Sequence, residues 1–361
     1  MRSRLTTESM MKNILTEIGL SAILMMGALS GQLSATEASS FLEAQVSGAY
    51  IIPADEGFWN HCMAPIYDED GKLHVFCSII PNKGIWSKHS KIGHYTADKP
   101  EGPYTFVGIT FESDEATYHN PQVSKVGDTY VLVFLKNNHL VLNRQEVGLA
   151  TAKSLDGPWQ ESPLNPVIPA SGMMAGAEIV HASNPTFVVT PEEKFRIYFK
   201  SMTNKSGDQK AFREISFAES DRLEGPYVNY AGNPVISYAA DQVDLEDPYI
   251  FRYNGVYYMI VEDRTGVINL LNGSPIPAAK IRPGGFRPGL IYASKDGIDW
   301  GEPKVGYETN TFYFGAKLAR TERPHILWKD GKPEYLFLAC LGDDDPTAGF
   351  VINIENWNGE F

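Results

Sequence analysis

Cysteine is scarce in this sequence: Cys62, Cys77 and Cys340 are the three in a chain of 361 residues. An odd count with no metal-ligand spacing excludes a disulfide framework and a thiolate zinc site. Cys62 and Cys77 fall on neighbouring expected strands. They form either a disulfide, which an exported chain permits, or two small buried residues between strands. Basic residues are also short, 31 Lys and Arg against 44 Asp and Glu, for a formal charge of −13. No basic stripe is visible, which argues against nucleic acid as a partner. Beyond the N-terminus no apolar run is long enough to span a bilayer, so the mature chain is expected to have no membrane span.

Long apolar runs are confined to the N-terminus. Lys12 precedes an apolar stretch from Ile18 to Leu29, and small residues follow at Ser34-Ala35 and Thr36-Glu37-Ala38. That order is the layout of a secretory signal cleaved near Ala35 or Ala38. A buried helix is the alternative, but the run lacks caps and has polar flanks. Residues 1–38 are therefore expected to be a signal peptide. Residues 39–361 are expected to be one exported domain, periplasmic or extracellular.

What the chain has in quantity is one short pattern, written five times. A Pro with polar residues before it opens an apolar run, and a Gly- or Lys-marked turn leads to a second apolar run. The copies are Met63-Ala64-Pro65-Ile66, His119-Asn120-Pro121-Gln122, Ser183-Asn184-Pro185-Thr186, Glu246-Asp247-Pro248-Tyr249 and Glu322-Arg323-Pro324-His325. Third strands follow in the first four copies, each ending in a turn before an aromatic: Glu101-Gly102-Pro103-Tyr104, Asp156-Gly157-Pro158-Trp159, Glu224-Gly225-Pro226-Tyr227 and Asp296-Gly297-Ile298-Asp299-Trp300. Fourth strands are expected near residues 106–110, 166–169, 234–238 and 304–307. Short strands repeating every ~55–75 residues are the signature of a radial β-array. The fold expected is all-β, a five-bladed β-propeller with four-stranded blades. The fifth copy lacks a fourth strand and a spare strand-like segment, 44–52, precedes the first copy. Pairing the two closes the ring and removes two sheet edges. The longest insert, from Thr265 to Pro288, is a flexible excursion or a lid.

In such an array the first strand of every blade faces one axis. His61 and Asn60, His119 and Asn120, His181 and Asn184, Glu246 and Asp247, and Glu322, Arg323 and His325 then share a site. Here the chain resembles the five-bladed propeller glycosidases, the group that includes glycoside hydrolase families 43 and 117. Asp247-Pro248-Tyr249-Ile250-Phe251 is similar to their Asp-Pro inner-strand motif, and Glu322-Arg323-Pro324-His325-Ile326 to their Glu-x-Pro motif. The resemblance implies an exo-acting glycoside hydrolase on polysaccharide-derived oligosaccharides, with Glu322 as general acid and Asp247 orienting it. One departure stands out: the position of the general base falls on Asn184, and Ala64 precedes the proline of the first copy.

Glycoside hydrolysis needs a protonated carboxyl group for the leaving oxygen and a second group to activate water or attack. Asp247, a charged carboxylate beside Glu322, is expected to let Glu322 keep its proton near neutral pH. The second role passes to Glu178, Glu246 or His119. Bland readings stand beside these: a Glu322–Arg323 structural ion pair, Glu246 bonding backbone amides, and Glu178 as a solvated loop acid. His61, His119 and His181 either bind a metal on the axis or donate to sugar hydroxyls. No cofactor is expected beyond a structural divalent cation that the central channel would admit. Trp59, Tyr118, Trp86 and Phe286 are candidate sugar platforms. Arg323, Arg287 and, more weakly, Arg320 suit a uronate or sulfate group. A propeller that binds sugar without hydrolysing it is the alternative function.

Overall fold

The computed structural model describes residues 40–51, 57–139, 144–171, 173–174, 177–204, 211–274, 288–309, 312–342 and 348–361. The expected signal peptide and its cleavage sites lie outside the described residues, as do Phe286, Arg287 and most of the long insert. No helix among the described residues is long and apolar enough to cross a membrane.

The fold is all-β. Near-continuous apolar runs such as Leu73–Pro81 and Tyr257–Asp263 make strands that bury both faces. They assemble in chain order as antiparallel ladders. The first repeat supplies Phe58–Tyr67, Leu73–Pro81, Lys91–Ala97 and Thr105–Phe111. The second and third share one sheet through a single parallel bridge, His181 to Gln145. The fourth repeat runs from Leu245–Tyr253 to Lys304–Tyr307. The fifth comprises Ala316–Lys329, Lys332–Gly342 and Ala348–Ile354, with Gln45–Ile51 added antiparallel to the last of these. The N-terminal strand therefore covers the edge left by the C-terminus, as expected from the exposed ladder groups of both.

Each repeat packs its apolar face on the next. Phe337 and Leu327 of the fifth meet Met63 and Val75 of the first, and Phe76 meets Leu132 and Phe134 of the second. Val131 and Val133 meet Phe187 and Ile197, Val188 and Tyr198 meet Ile250 and Met259, and Tyr249 and Tyr258 meet Ile326 and Leu336. Five hydrophobic layers thus stand between successive repeats, the fifth and first included.

One expectation needs correction. In the second and third repeats the fourth strand is not continuous: two-residue pairs, Gln160–Glu161 and Val228–Asn229, precede single bridges at Ile168 and Ile236. Pro166 and Pro234 have no N–H to donate, so Asn165 and Asn233 take over the pairing with their side chains. Asn165 accepts from Leu149 N at 2.9 Å and donates to its carbonyl at 3.0 Å; Asn233 does the same to Phe217 at 3.0 and 2.7 Å. Of the two readings of the thiols, the structure shows the second: Cys62 and Cys77 are buried and not joined in a disulfide. Cys77 pairs across the ladder with Met63, while Cys62 turns away and donates to the Pro121 carbonyl at 3.5 Å.

Gly289 is a packing requirement. It lies across from Glu262 on one side and Tyr307 on the other, and a methyl group there would overlap the Tyr307 ring. Gly289→Ala is expected to lower stability by about 1–3 kcal/mol through overpacking. Thermal unfolding checks this, and an unchanged midpoint would contradict the assignment.

Candidate active site

Every first strand carries a β-bulge at the same place, and the bulged residue is left-handed. Cys62, Asn120, Asn184, Asp247 and Arg323 have φ of 57°, 51°, 55°, 61° and 56°. The ladders slip at each, between His61 and Met63, His119 and Gln122, Ser183 and Thr186, Glu246 and Tyr249, and Glu322 and His325. Each left-handed non-glycine costs roughly 1–3 kcal/mol, and such residues gather where the surroundings use them. This corrects the alignment of the first repeat. Its counterpart of Asp247 is Cys62, not Ala64, because the bulge and not the proline sets the register.

Four of the five bulged residues are linked side to side. Asn184 Nδ2 donates to Asp247 Oδ1 at 2.9 Å, and Arg323 pairs with Asp247 through its guanidinium and its backbone N–H. The Asn120 amide lies 2.9 Å from that of Asn184 and 3.1 Å from both His119 Nε2 and the Arg323 guanidinium. His61, His119, Glu246 and Glu322, each just before a bulge, line a cavity of about 560 Å³ together with Asn120, Asn184 and Arg323. Its lining includes Trp59, His61, Trp86, His119, His181, Lys200, Arg213, Glu246, Arg264, Arg320, Glu322 and Arg323.

The structure brings most of the expected residues together. Glu322 is 5% exposed, accepts from His61 Nε2 at 2.7 Å and pairs with Arg320 through its other oxygen. His61 stacks on His119, and His119 on Trp86, with ring centroids 5.4 and 5.1 Å apart. Trp59 stands edge-on to His61. His119 Nδ1 bonds Ser90 Oγ at 2.7 Å. Glu178 takes a strand position opposite Asn204, at the edge of the third repeat's first strand. Others fall away from the cavity. Asn60 is wholly buried and bonds the Tyr95 hydroxyl, and Tyr118 packs on Phe134 and donates to Glu161, so neither is a platform. His325 bonds the Arg323 carbonyl and meets Tyr249. Among the described residues Glu246 bonds no backbone amide; it collects Lys200 at 2.6 Å, Arg264 at 3.2 Å and Arg213 at 3.5 Å.

Lys200, Arg213, Arg264 and Glu262 were not singled out from the sequence. Glu262 is the most informative of them: 2% exposed, it lies opposite Glu246 with Oε2 unpartnered among the described residues. An acid closing the apolar run Tyr257 to Val261 was its only signal. Carboxylate oxygens of Asp247, Glu262 and Glu322 all lie within 4.8 Å of one another. Tyr307, fully buried, packs nearby with an unpartnered hydroxyl.

The electrostatics reverse one expectation. Glu322 was expected to keep its proton, yet His61, Arg320 and Arg323 outweigh burial and hold its carboxyl down at about 2. Burial pushes Asp247 up to about 7 against the pull of Arg323, and Glu262 up to about 8 with the neighbouring Glu322 and Asp247 adding to it. The resting cluster thus keeps its protons on the two deep carboxyls, while Glu322, at the cavity wall, is ionised. Burial holds His61, His119 and His181 below their ordinary values, so all three are neutral at pH 7.

The fold has known counterparts. Neither a family model nor a curated protein matches the sequence. Among solved structures, a protein titled glycoside hydrolase aligns with TM-score 0.63 and 14% identity over 85% of this chain and 90% of its own. A family 117 glycoside hydrolase of the marine bacterium Zobellia galactanivorans aligns with TM-score 0.61 and 15% identity, covering 89% of this chain and 94% of its own. The fold is that of the propeller glycoside hydrolases. An exo-1,5-α-L-arabinanase from a bovine ruminal metagenomic library shares it as well, with TM-score 0.55 and 15% identity over 83% of this chain and 95% of its own. The likeness is one of fold, at 14–15% identity.

The protonation pattern predicts a pH dependence. Asp247 and Glu262 have raised values in the folded state, so their contribution is fully present below about pH 4 and is lost as pH rises through about 7 to 8. Glu322 acts oppositely: its contribution is present above about pH 4.3 and lost as pH falls towards 2. Unfolding midpoints should therefore decline from pH 5 to pH 8, and Glu262→Gln, which cannot ionise, should flatten that decline. An identical slope in wild type and variant would remove Glu262 from the cluster.

Proposed function

We propose that this chain is an exported glycoside hydrolase, a five-bladed propeller over residues 39–361 closed by its N-terminal strand. It acts at chain ends of polysaccharide-derived oligosaccharides whose terminal sugar bears a carboxylate or sulfate. The observation that carries the reading is the cavity wall. Five cations, Lys200, Arg213, Arg264, Arg320 and Arg323, line it against two carboxylates, Glu246 and Glu322, in a chain of net charge −13. Planar guanidinium groups suit a planar anion. A volume of about 560 Å³ walled by Trp59 and Trp86 suits a short sugar segment rather than a long polymer groove.

The same arrangement supplies a way to arm the acid. Glu322 lies at the cavity wall and meets the glycosidic oxygen. A sugar anion that pairs with Arg320 withdraws one of the cations holding Glu322 ionised, so Glu322 rises towards its neighbours in proton affinity. The proton kept on Asp247 or Glu262 then has a path of less than 4.8 Å to it. Asp247 is fixed for this by Asn184 and Arg323. Glu322 donates that proton to the leaving oxygen. Glu178 supplies the carboxylate for water, and His119 orients the sugar from the opposite wall, with His61, Asn120, His181 and Asn184 around it. The order of events makes protonation depend on the correct substrate.

Reducing-sugar release from plant and algal oligosaccharides, neutral and anionic, tests the reading. Glu322→Gln is expected to lose about 10²–10⁴-fold in kcat. Arg320→Ala should raise KM for anionic substrates about 10- to 100-fold, the worth of a charge-assisted hydrogen bond, and spare neutral ones. Asn184, standing where a carboxylate base would be expected, favours the second reading, a sugar-binding propeller. Binding of the same oligosaccharides by wild type and Glu322→Gln with no release by either would establish it.

A further inference from the structure

A second cluster lies far from the cavity, at the other end of the first repeat. His74 begins that repeat's second strand, four residues from Ser78, the ladder partner of His61. At roughly 3.3 Å per residue that is about 13 Å along the strand. His94 sits on the third strand, opposite Phe76. Both histidines are buried, 3% and 4% exposed. Their rings stack with centroids 5.0 Å apart, and Phe76 stacks on His94 at 4.6 Å. His74 Nδ1 and His94 Nε2 face each other at 2.8 Å. Asp156, exposed on the turn that ends the third strand of the second repeat, completes the group. One ligand atom from each of the three lies within 4.8 Å of the others.

We propose that His74 Nδ1, His94 Nε2 and an Asp156 carboxylate oxygen form a site for a divalent transition cation of the zinc type, joining the first repeat to the second. Two imidazole nitrogens and one carboxylate oxygen are a donor set that suits zinc, whereas calcium and magnesium take oxygen throughout. The outer partner is in place too. His74 Nε2 donates to Asp68 Oδ2 at 3.3 Å, and Asp68 is itself held by the Asp70 and Lys72 amides at 3.0 and 2.8 Å. That bond fixes the proton on Nε2 and turns the Nδ1 lone pair towards His94, the arrangement by which a carboxylate orients a metal-bound imidazole. Tetrahedral ligands about 2.0–2.1 Å from zinc stand about 3.3 Å apart, so a small ring rotation widens the 2.8 Å gap enough. The equivalent acid of the fourth repeat is differently engaged: Asp296 accepts from the Ile298 and Asp299 amides at 2.8 and 2.9 Å.

The test is a zinc titration of the full mature chain after removal of metal with EDTA, read by calorimetry and by thermal unfolding. The wild type should bind one equivalent at this site and unfold at a higher temperature with zinc than without. His94→Gln should abolish that equivalent, and Asp156→Ala should weaken it at least tenfold. Cobalt in place of zinc should show the visible bands of a four-coordinate site, lost in the same variants. Asp156 is exposed, so its variant keeps the test valid if His94→Gln misfolds. No binding by the wild type at micromolar free zinc, or equal affinity in wild type and Asp156→Ala, would overturn the site. Equal affinity would instead place the metal on the histidines of the cavity, which His119→Ala would reveal.

Discussion

Five left-handed bulges hold this structure's function together. A strand that stays regular sends alternate residues to opposite faces, so only one side chain per pleat could reach the axis. The bulge at each first strand breaks that alternation. It brings Asn120, Asn184, Asp247 and Arg323 into one linked set and places His61, His119, Glu246 and Glu322 at the cavity. Asn and Asp enter the left-handed region more readily than other residues with a Cβ because their short polar side chains bond locally. Cys62 and Arg323 have no such excuse, and Arg323 is held there by its ion pair with Asp247.

That ion pair connects the backbone geometry to the chemistry. Asp247 carries the one carboxylate among the five bulged positions, and burial would neutralise it without Arg323. The guanidinium keeps it half-way, near 7, while Glu262 behind it goes higher and Glu322 in front goes lower. Three carboxyl groups within one small volume cannot all ionise. The surrounding cations decide which one does, and they choose the one the cavity can reach. Proton placement here is a consequence of where five arginine and lysine side chains end.

Much of this was legible in the residues. The Pro-marked repeat, the Gly-Pro turns and the unpaired ends of the first and last ladders led to the strand order, because period-2 patterning and turn chemistry are local signals. The inner-strand positions of His61, His119, Asp247 and Glu322 followed from the same repeat. Its failures are equally specific. The proline misled in the first repeat, where Pro65 sits in regular ladder opposite Val75 and the bulge falls three residues earlier. Fourth strands at Pro166 and Pro234 read as continuous, since nothing local says that Asn165 and Asn233 will bond in place of the missing N–H.

The sequence by itself determined the order of the repeats, where the turns fall, and which acids and histidines lie on the first strands. Only the tertiary structure decided what those residues are chemically. Lys200, Arg213 and Arg264 come from second strands and loops, and Glu262 from the end of a buried ladder. Their convergence on Glu246, Asp247 and Glu322 depends on packing between repeats. Charge state in a buried cluster depends on every neighbour within a few ångströms, and sequence spacing does not report those distances.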